Sequence, residues 1–534
     1  MPTHCMPYRE TSYFSSLIED YLVEKEELKS LYNRFPYLEN FAEQIEEKGN
    51  SYPKEQRKIL VEALQNQYAH LNVSEATQNH ISILKENNTF TITTGHQLNL
   101  FTGPLYFLYK IISTINLCKE LKKEYPKNNF VPIYWMATED HDFEEINYFN
   151  FKERKVVWER KISGAVGELS TEGLKEVGAI FNKTLGNTPN AIFLKSLFKK
   201  AYIDHNNLAD ATRYLANALF GKYGLVILDA NKKELKQFFV PFLKNELKAQ
   251  TSSLTIEETN KKIASIPNTK YKLQVNPREI NLFYLRNNTR ERIIKKEDTY
   301  FINQSTLSFT NEEIQKEAEQ HPERFSPNVM LRPLYQEVIL PNLCYIGGGG
   351  ELAYWLQLKA FFKEVNIPFP MLLLRNSALL IPDKIQNKLD KLEVPTADLF
   401  LPKHQLEEKY IKKISSIPID FSKQKEHLEK QFKALYEIAK LTDKSFIGAV
   451  AAQEKKQKNG LSNLEKRLLK AQKRKRSKQL EQLTIIQNQL FPNGSLQERN
   501  HNFSEWYLEY GEELLPKLFE ELKPLEQEFK SITF

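Results

Sequence analysis

A β-prone run, FTITT at 90–94, and an apolar run without polar–apolar alternation, FVPIYWMA at 130–137, bracket a helical stretch from Pro104 to Leu121. A strand that does not alternate has to be covered on both faces. The helix carries Leu108, Ile111, Ile112 and Ile115 among aromatics and is apolar nearly all round, so it too belongs in an interior. Pro104 suits its first position, where the missing N–H costs nothing. Strand, helix and strand in this order predict a parallel, right-handed βαβ unit. Three more runs of the same buried type follow: GLVILDA with Asp229 at its end, LCYI leading into four glycines, and PFPMLLL ahead of Arg375. The chain therefore reads as α/β, a Rossmann-like doubly wound parallel sheet. Between the third and fourth runs, YKLQVNPREINLFYLRNNTRERIIKKEDTYFIN alternates and turns like short antiparallel strands, a small inserted domain.

At 534 residues the chain is too long for one core. The reading divides it into a Rossmann-like first part with N-terminal helices (1–235), a connecting insertion (236–325) and a second Rossmann-like part (326–382). A coiled coil (383–485) and a segment that docks on the core (486–534) complete it. Two long helices are expected in the coiled coil, with Leu428, Phe432, Leu435 and Ala439 on one seam and Leu461, Leu464, Leu468 and Ala471 on the other. Of the net charge of +7, Glu454 to Leu480 contributes eleven Lys/Arg and two Glu, a net of +9, so the other residues sum to about −2. That run lacks interleaved aromatics and reads as a solvated helix face rather than a nucleic-acid site. No secretory signal and no membrane-length apolar run is visible, and the three cysteines form no CxxC pair. A cytoplasmic protein with reduced thiols is expected.

Ligands of a doubly wound sheet sit beyond the carboxyl ends of its strands. Four polar segments fall there. Gly95 to Gly103, with His96, Gln97, Asn99 and Thr102, offers backbone N–H groups ahead of a helix, or else is a capped turn in which His96 satisfies a carbonyl. TEDHDFEE packs Glu139, Asp140, His141, Asp142, Glu144 and Glu145 at one strand end. It reads as a general base, a binding group or a helix start. One His among adjacent acids lacks zinc spacing, and no metal is assigned. GGGGE (Gly347, Gly348, Gly349 and Gly350) suggests close backbone approach to a ligand. Arg375, Asn376 and Ser377 end the last strand. Arg332, Gln336 and Asn342 are placed to reach the same rim, with Tyr354 on the helix after the glycines. FPNGSLQER is a turn that either holds a phosphate through Gly494, Gln497 and Arg499 or is only a turn.

Together TTGHQLNLFTGPLY, YWMATEDHDFEEI, SPNVMLRPLYQEVILPNLCYIGGGGELAYW and LFPNGSLQER resemble the cysteine-adding enzyme family of bacillithiol biosynthesis, in the same order from about residue 90 to 515. The resemblance implies a nucleotidyltransferase-type Rossmann core, a connecting insertion and a dimer made through the coiled coil. It also implies joining of the cysteine carboxyl to the amine of glucosaminyl-malate, with no nucleic acid or membrane partner. The family often has a Pro within the glycine run, which here is GGGG. Activation of the carboxyl points to ATP or another nucleotide, although no KMSKS-type loop is visible and RNS at Arg375–Ser377 is a poor substitute. On this reading His96 and Arg375 stabilise developing charge, and Asp140 or His141 binds the cysteine ammonium or deprotonates the amine. Arg332 or Arg375 takes the malate carboxylates. The competing expectations are a nucleotide-sensing coiled-coil scaffold and a metal-dependent hydrolase built on EDHD.

Overall fold

The computed structural model describes residues 4–286 and 288–534. The chain forms two compact units. The larger holds Cys5–Leu379 and Gln497–Ile532; the smaller is built mainly from Leu380–Leu496.

The larger unit is organised by a five-stranded sheet. Its strands are β1 (Thr89–His96), β2 (Asn129–Met136), β3 (Val226–Asp229), β4 (Asn342–Gly347) and β5 (Met371–Leu374). Every pair is parallel and the order is β5-β4-β1-β2-β3. The sheet grows outward from β1 to β3, then returns to the other side of β1 for β4 and β5. That reversal makes the β1/β4 boundary the topological switch point. β1 pairs with β2 along its whole length, from Thr89 opposite Asn129 to His96 opposite Met136, and is buried throughout. Helix α1 (Tyr106–Glu124) is buried from Phe107 to Cys118. It starts two residues after Pro104, because the preceding turn is not helical: Phe101 and Thr102 take positive φ angles of 49° and 70°. The core beneath the sheet joins Phe90, Ile92, Leu117, Leu121, Cys344 and Met371.

The inserted strands form an antiparallel sheet of Leu282–Arg286, Thr289–Lys296, Thr299–Ile302, Ser308–Thr310 and Phe325–Pro327. Phe325–Pro327 closes one edge and runs two residues past the 236–325 span expected for the insertion. A polar network explains one misplaced expectation. Asn342 sits inside β4, where its amide oxygen accepts from Thr93 at 2.8 Å and its amide donates to Glu337 at 2.7 Å. Glu337 in turn meets the buried Lys48. These groups satisfy one another within the sheet, so Asn342 is a structural residue.

In the smaller unit, α2 (Ser422–Ala439) packs against α3 (Lys444–Lys475). Their seam is Phe432, Ala439 and Val450, flanked by Leu428, Tyr436 and Ile447. Leu435 and Leu464 do not join it and are 41% and 52% exposed. Four residues beyond Phe432 the helix presents Tyr436 to the seam, which turns Leu435 outward.

Candidate active site

A cavity of about 950 Å³ opens at the carboxyl ends of the five parallel strands. β1 supplies Gly95 and His96, β2 leads into Thr138–Asp142, and β3 is followed by Ala230. The loop after β4 brings Gly348–Glu351, and Arg375 follows β5. The inserted sheet adds Phe283 and Arg290. Helices beside the rim add Tyr106, Lys110, Arg332 and Tyr354, and Arg499 comes from the C-terminal segment.

Charges in the cavity are segregated. Glu351 ties the switch point together: its carboxylate accepts from Lys110 at 2.5 Å, Tyr345 at 2.7 Å and the Gly348 N–H at 2.8 Å. Lys110 is buried and also donates to the Gly95 carbonyl at 2.7 Å. One lysine thus clasps the ends of β1 and the glycine loop. Beside it His96 is 8% exposed, packed on Tyr106 and Phe107, and its Nε2 has no hydrogen-bond partner among the described residues. Burial, with Lys110 and Arg375 nearby, holds this imidazole well below the ordinary histidine range, so it is neutral at pH 7. The alternative of a histidine satisfying a carbonyl finds no support at Nε2.

The two rim arginines differ. Arg375 donates to Glu498 at 2.6 Å, to Ser377 at 3.0 Å and to the Asn376 carbonyl at 2.9 Å, with both ends of the ion pair buried. Its charge is already compensated. Arg332 has no carboxylate within ion-pair distance among the described residues. It donates to Gln336 at 3.1 Å and lies between the rings of Trp135 and Tyr345, and its Nη2 is sealed from solvent without a partner. A guanidinium left this way at a cavity wall, with Tyr345, Tyr354 and Glu351 favouring its charge, is able to hold an anion.

The acidic wall is held as firmly. Glu139 pairs with the buried Lys236 at 2.5 Å. Asp140 accepts from Gln97 at 2.8 Å and from the His141 backbone at 2.8 Å. Burial alone would raise its carboxyl, but the Gln97 amide, the His141 backbone N–H and the Arg290 guanidinium hold it below the usual carboxylate range. Gln97 also bridges to Glu145 at 2.8 Å. Ligand atoms of Asp140, His141 and Asp142 lie within 4.8 Å of one another. However, Nδ1 of His141 already accepts from Arg290 at 2.9 Å. A metal on Nε2 would need a proton on Nδ1, which would then face the Arg290 donor.

Several expected residues stand elsewhere. Thr102, Asn342, Gly347, Asn376 and Ser377 do not line the large cavity. Asn376 bonds Ser113 and the Lys523 carbonyl. Asn99 and Gly103 line a smaller neighbour of about 270 Å³, shared with Gln97, Tyr106 and Arg499. The free N–H groups expected from Gly95 to Gly103 are partly taken: Phe101 N donates to Tyr202 at 2.7 Å and Gly103 N to Leu100 at 2.9 Å. Gln497 is buried, and Gly494 belongs to the smaller unit. Sequence reasoning passed over Lys110, Glu351, Arg290 and Glu498. A lysine inside the apolar YFLYKII was a usable signal for the first.

This geometry meets its relatives in two family models. Residues 1–376 match "Bacillithiol biosynthesis BshC, N-terminal Rossmann-like domain", and 378–534 match the corresponding C-terminal coiled-coil domain. The chain belongs to the BshC family. It is 59% identical to a protein of Christiangramia forsetii over 100% of this chain and 99% of that one, and 58% identical to one of Flavobacterium johnsoniae over the whole of both. A Bacillus cereus protein is 29% identical over 94% of this chain and 95% of its own. All three carry the name "Putative cysteine ligase BshC". BshC membership accounts for the Rossmann-like sheet and the coiled coil together. Among the described residues no helix is long and apolar enough to cross a membrane.

Proposed function

We propose that this chain is an amide-forming ligase that joins the carboxyl of L-cysteine to the amine of glucosaminyl-malate, with ATP activating the acid. The observation that carries it is the pairing, across one cavity, of an uncompensated guanidinium at Arg332 with a carboxylate at Asp140 that stays ionised at any physiological pH. Cysteine brings an ammonium, which suits Asp140. The acceptor brings the two carboxylates of malate and the activator brings phosphates, and either anion suits Arg332. An amine does not attack a free carboxylate at useful rates, so an adenylate or acyl phosphate has to intervene. Neutral His96 beside Lys110 and Arg375 is suited to stabilise the negative charge that develops on the acyl or phosphoryl oxygens. Family membership supports the same reading, since the relatives bear the name of a cysteine ligase. We also propose a homodimer made through α2 and α3, whose exposed Leu435 and Leu464 support a second packing face.

Mass spectrometry of the purified protein with cysteine and glucosaminyl-malate, with and without ATP, tests the reaction. Thiol product formed only with ATP, with release of AMP or ADP, is the expected result. No product under any condition would overturn it, and product without ATP would remove the nucleotide from the reading.

A further inference from the structure

The inserted sheet places Arg290, on the strand Thr289–Lys296, against the acidic wall. Its guanidinium lies 3.9 Å from the Phe283 ring centroid. All three nitrogens are engaged: Nε donates to Ser326 Oγ at 3.1 Å, Nη2 to the Pro327 carbonyl at 3.1 Å, and Nη1 to His141 Nδ1 at 2.9 Å. No carboxylate lies within ion-pair distance of it among the described residues. Ser326, Pro327 and Phe283 therefore hold this side chain in one orientation, and that orientation is spent on a histidine nitrogen.

A guanidinium can only donate, so Nδ1 of His141 must be the acceptor. The neutral ring then carries its proton on Nε2. Moving that proton to Nδ1 would set two N–H groups face to face beside a fixed positive charge. The neighbouring acids do not reverse this: Asp140 Oδ1 is 3.6 Å from Nδ1 and Asp142 Oδ1 is 3.9 Å from Nε2, both beyond a hydrogen bond. The Nε2 proton remains available to whatever occupies the cavity that His141 lines.

We infer that Arg290 is a positioning residue that locks His141 in its Nε2–H form, so that His141 serves by donating a hydrogen bond to an anionic oxygen of the bound reactants and not by accepting a proton. The donor role rests on the ligase reading above; the tautomer does not.

Full-length protein labelled with 15N-histidine tests the first half, by two-bond 15N–1H correlation spectra at pH 8 with His141 assigned from the H141Q difference spectrum. The Nε2–H pattern is expected for wild type and its loss in Arg290→Met, with Arg290→Leu as the second variant should Met prevent folding. An Nδ1–H or doubly protonated ring in wild type, or an unchanged pattern in both variants, overturns the lock. Turnover tests the second half. His141→Gln places an amide donor near Nε2 and His141→Asn near Nδ1, so Gln is expected to give a kcat about tenfold above Asn, the value of one such hydrogen bond. Equal rates, or a faster Asn variant, overturn the donor role. Absence of ligation in wild type would overturn the reaction while leaving the spectra to decide the tautomer.

Discussion

At the scale of single residues the two rim arginines invite opposite experiments. Arg332→Gln removes an uncompensated charge that faces the cavity, so stability should hardly move while kcat/KM falls. A charge-assisted hydrogen bond is worth about 1.5–3 kcal/mol, which is roughly 10- to 150-fold in steady-state rates. Glu498→Gln acts on the other arginine. It strips a buried guanidinium of its counter-charge, and denaturant unfolding should show a loss of about 3–5 kcal/mol. Glu505 gives a pH signature. Burial raises its carboxyl to about 7, so between pH 4.5 and 7 the folded state holds more protons than the unfolded one and stability drains away as pH rises. His501 lies 3.9 Å away and is held down to about 4, and it works in the opposite sense between pH 4 and 6.5. Glu505→Gln should therefore be near neutral at pH 4.5 and stabilise by about 2–3 kcal/mol at pH 8, as read by unfolding curves at the two pH values. His501 and Glu505 stand four positions apart, a spacing a sequence can show, but the arginine pairing was not legible. Arg375 and Glu498 are 123 positions apart, and periodicity carries no information about partners at that distance.

At the scale of elements the chain is far more legible. β2 to β5 announce themselves because a parallel strand covered on both faces tends to be continuously apolar, whereas β1, with Thr91, Thr93 and Thr94, was readable only from its β-branched composition. The polar residues at their ends were readable for the same reason: once the strands are known, the rim is known. What fails is the prediction of which rim residues face inward. Asn342 and Asn376 look like ligand donors in a list of residues, yet each is consumed by a neighbouring strand or segment. The turn Phe101–Gly103 is a further case. Three consecutive positive φ angles store strain, and Asn502 holds the turn by donating to the Phe101 carbonyl at 2.7 Å and the Gly103 carbonyl at 2.6 Å. Asn502→Ala should cost about 2–3 kcal/mol, and limited proteolysis should then cut between β1 and α1, where wild type resists.

At the scale of the whole molecule, the order β5-β4-β1-β2-β3 decides where chemistry can happen, because only at the reversal do two strand ends part to leave a crevice. Lys110 and Glu351 bridge that crevice. The coiled coil was legible as a pair of long helices, but its seam was assigned by a heptad that the helices do not keep at Leu435. Light scattering of the intact chain is expected to return twice the monomer mass of 62.6 kDa. Replacing Leu435 and Leu464 with Glu should return the monomer without loss of helix content.

The chain leaves the larger unit at Leu379 and does not come back until Gln497. The carboxylate that neutralises Arg375 arrives with that return, one residue later, and the amide that holds the turn after β1 arrives at Asn502. A polypeptide emerging from the ribosome would thus have made its whole parallel sheet while still lacking both clasps. Any copy that stops short of Glu498 would therefore lack both contacts, however complete its sheet.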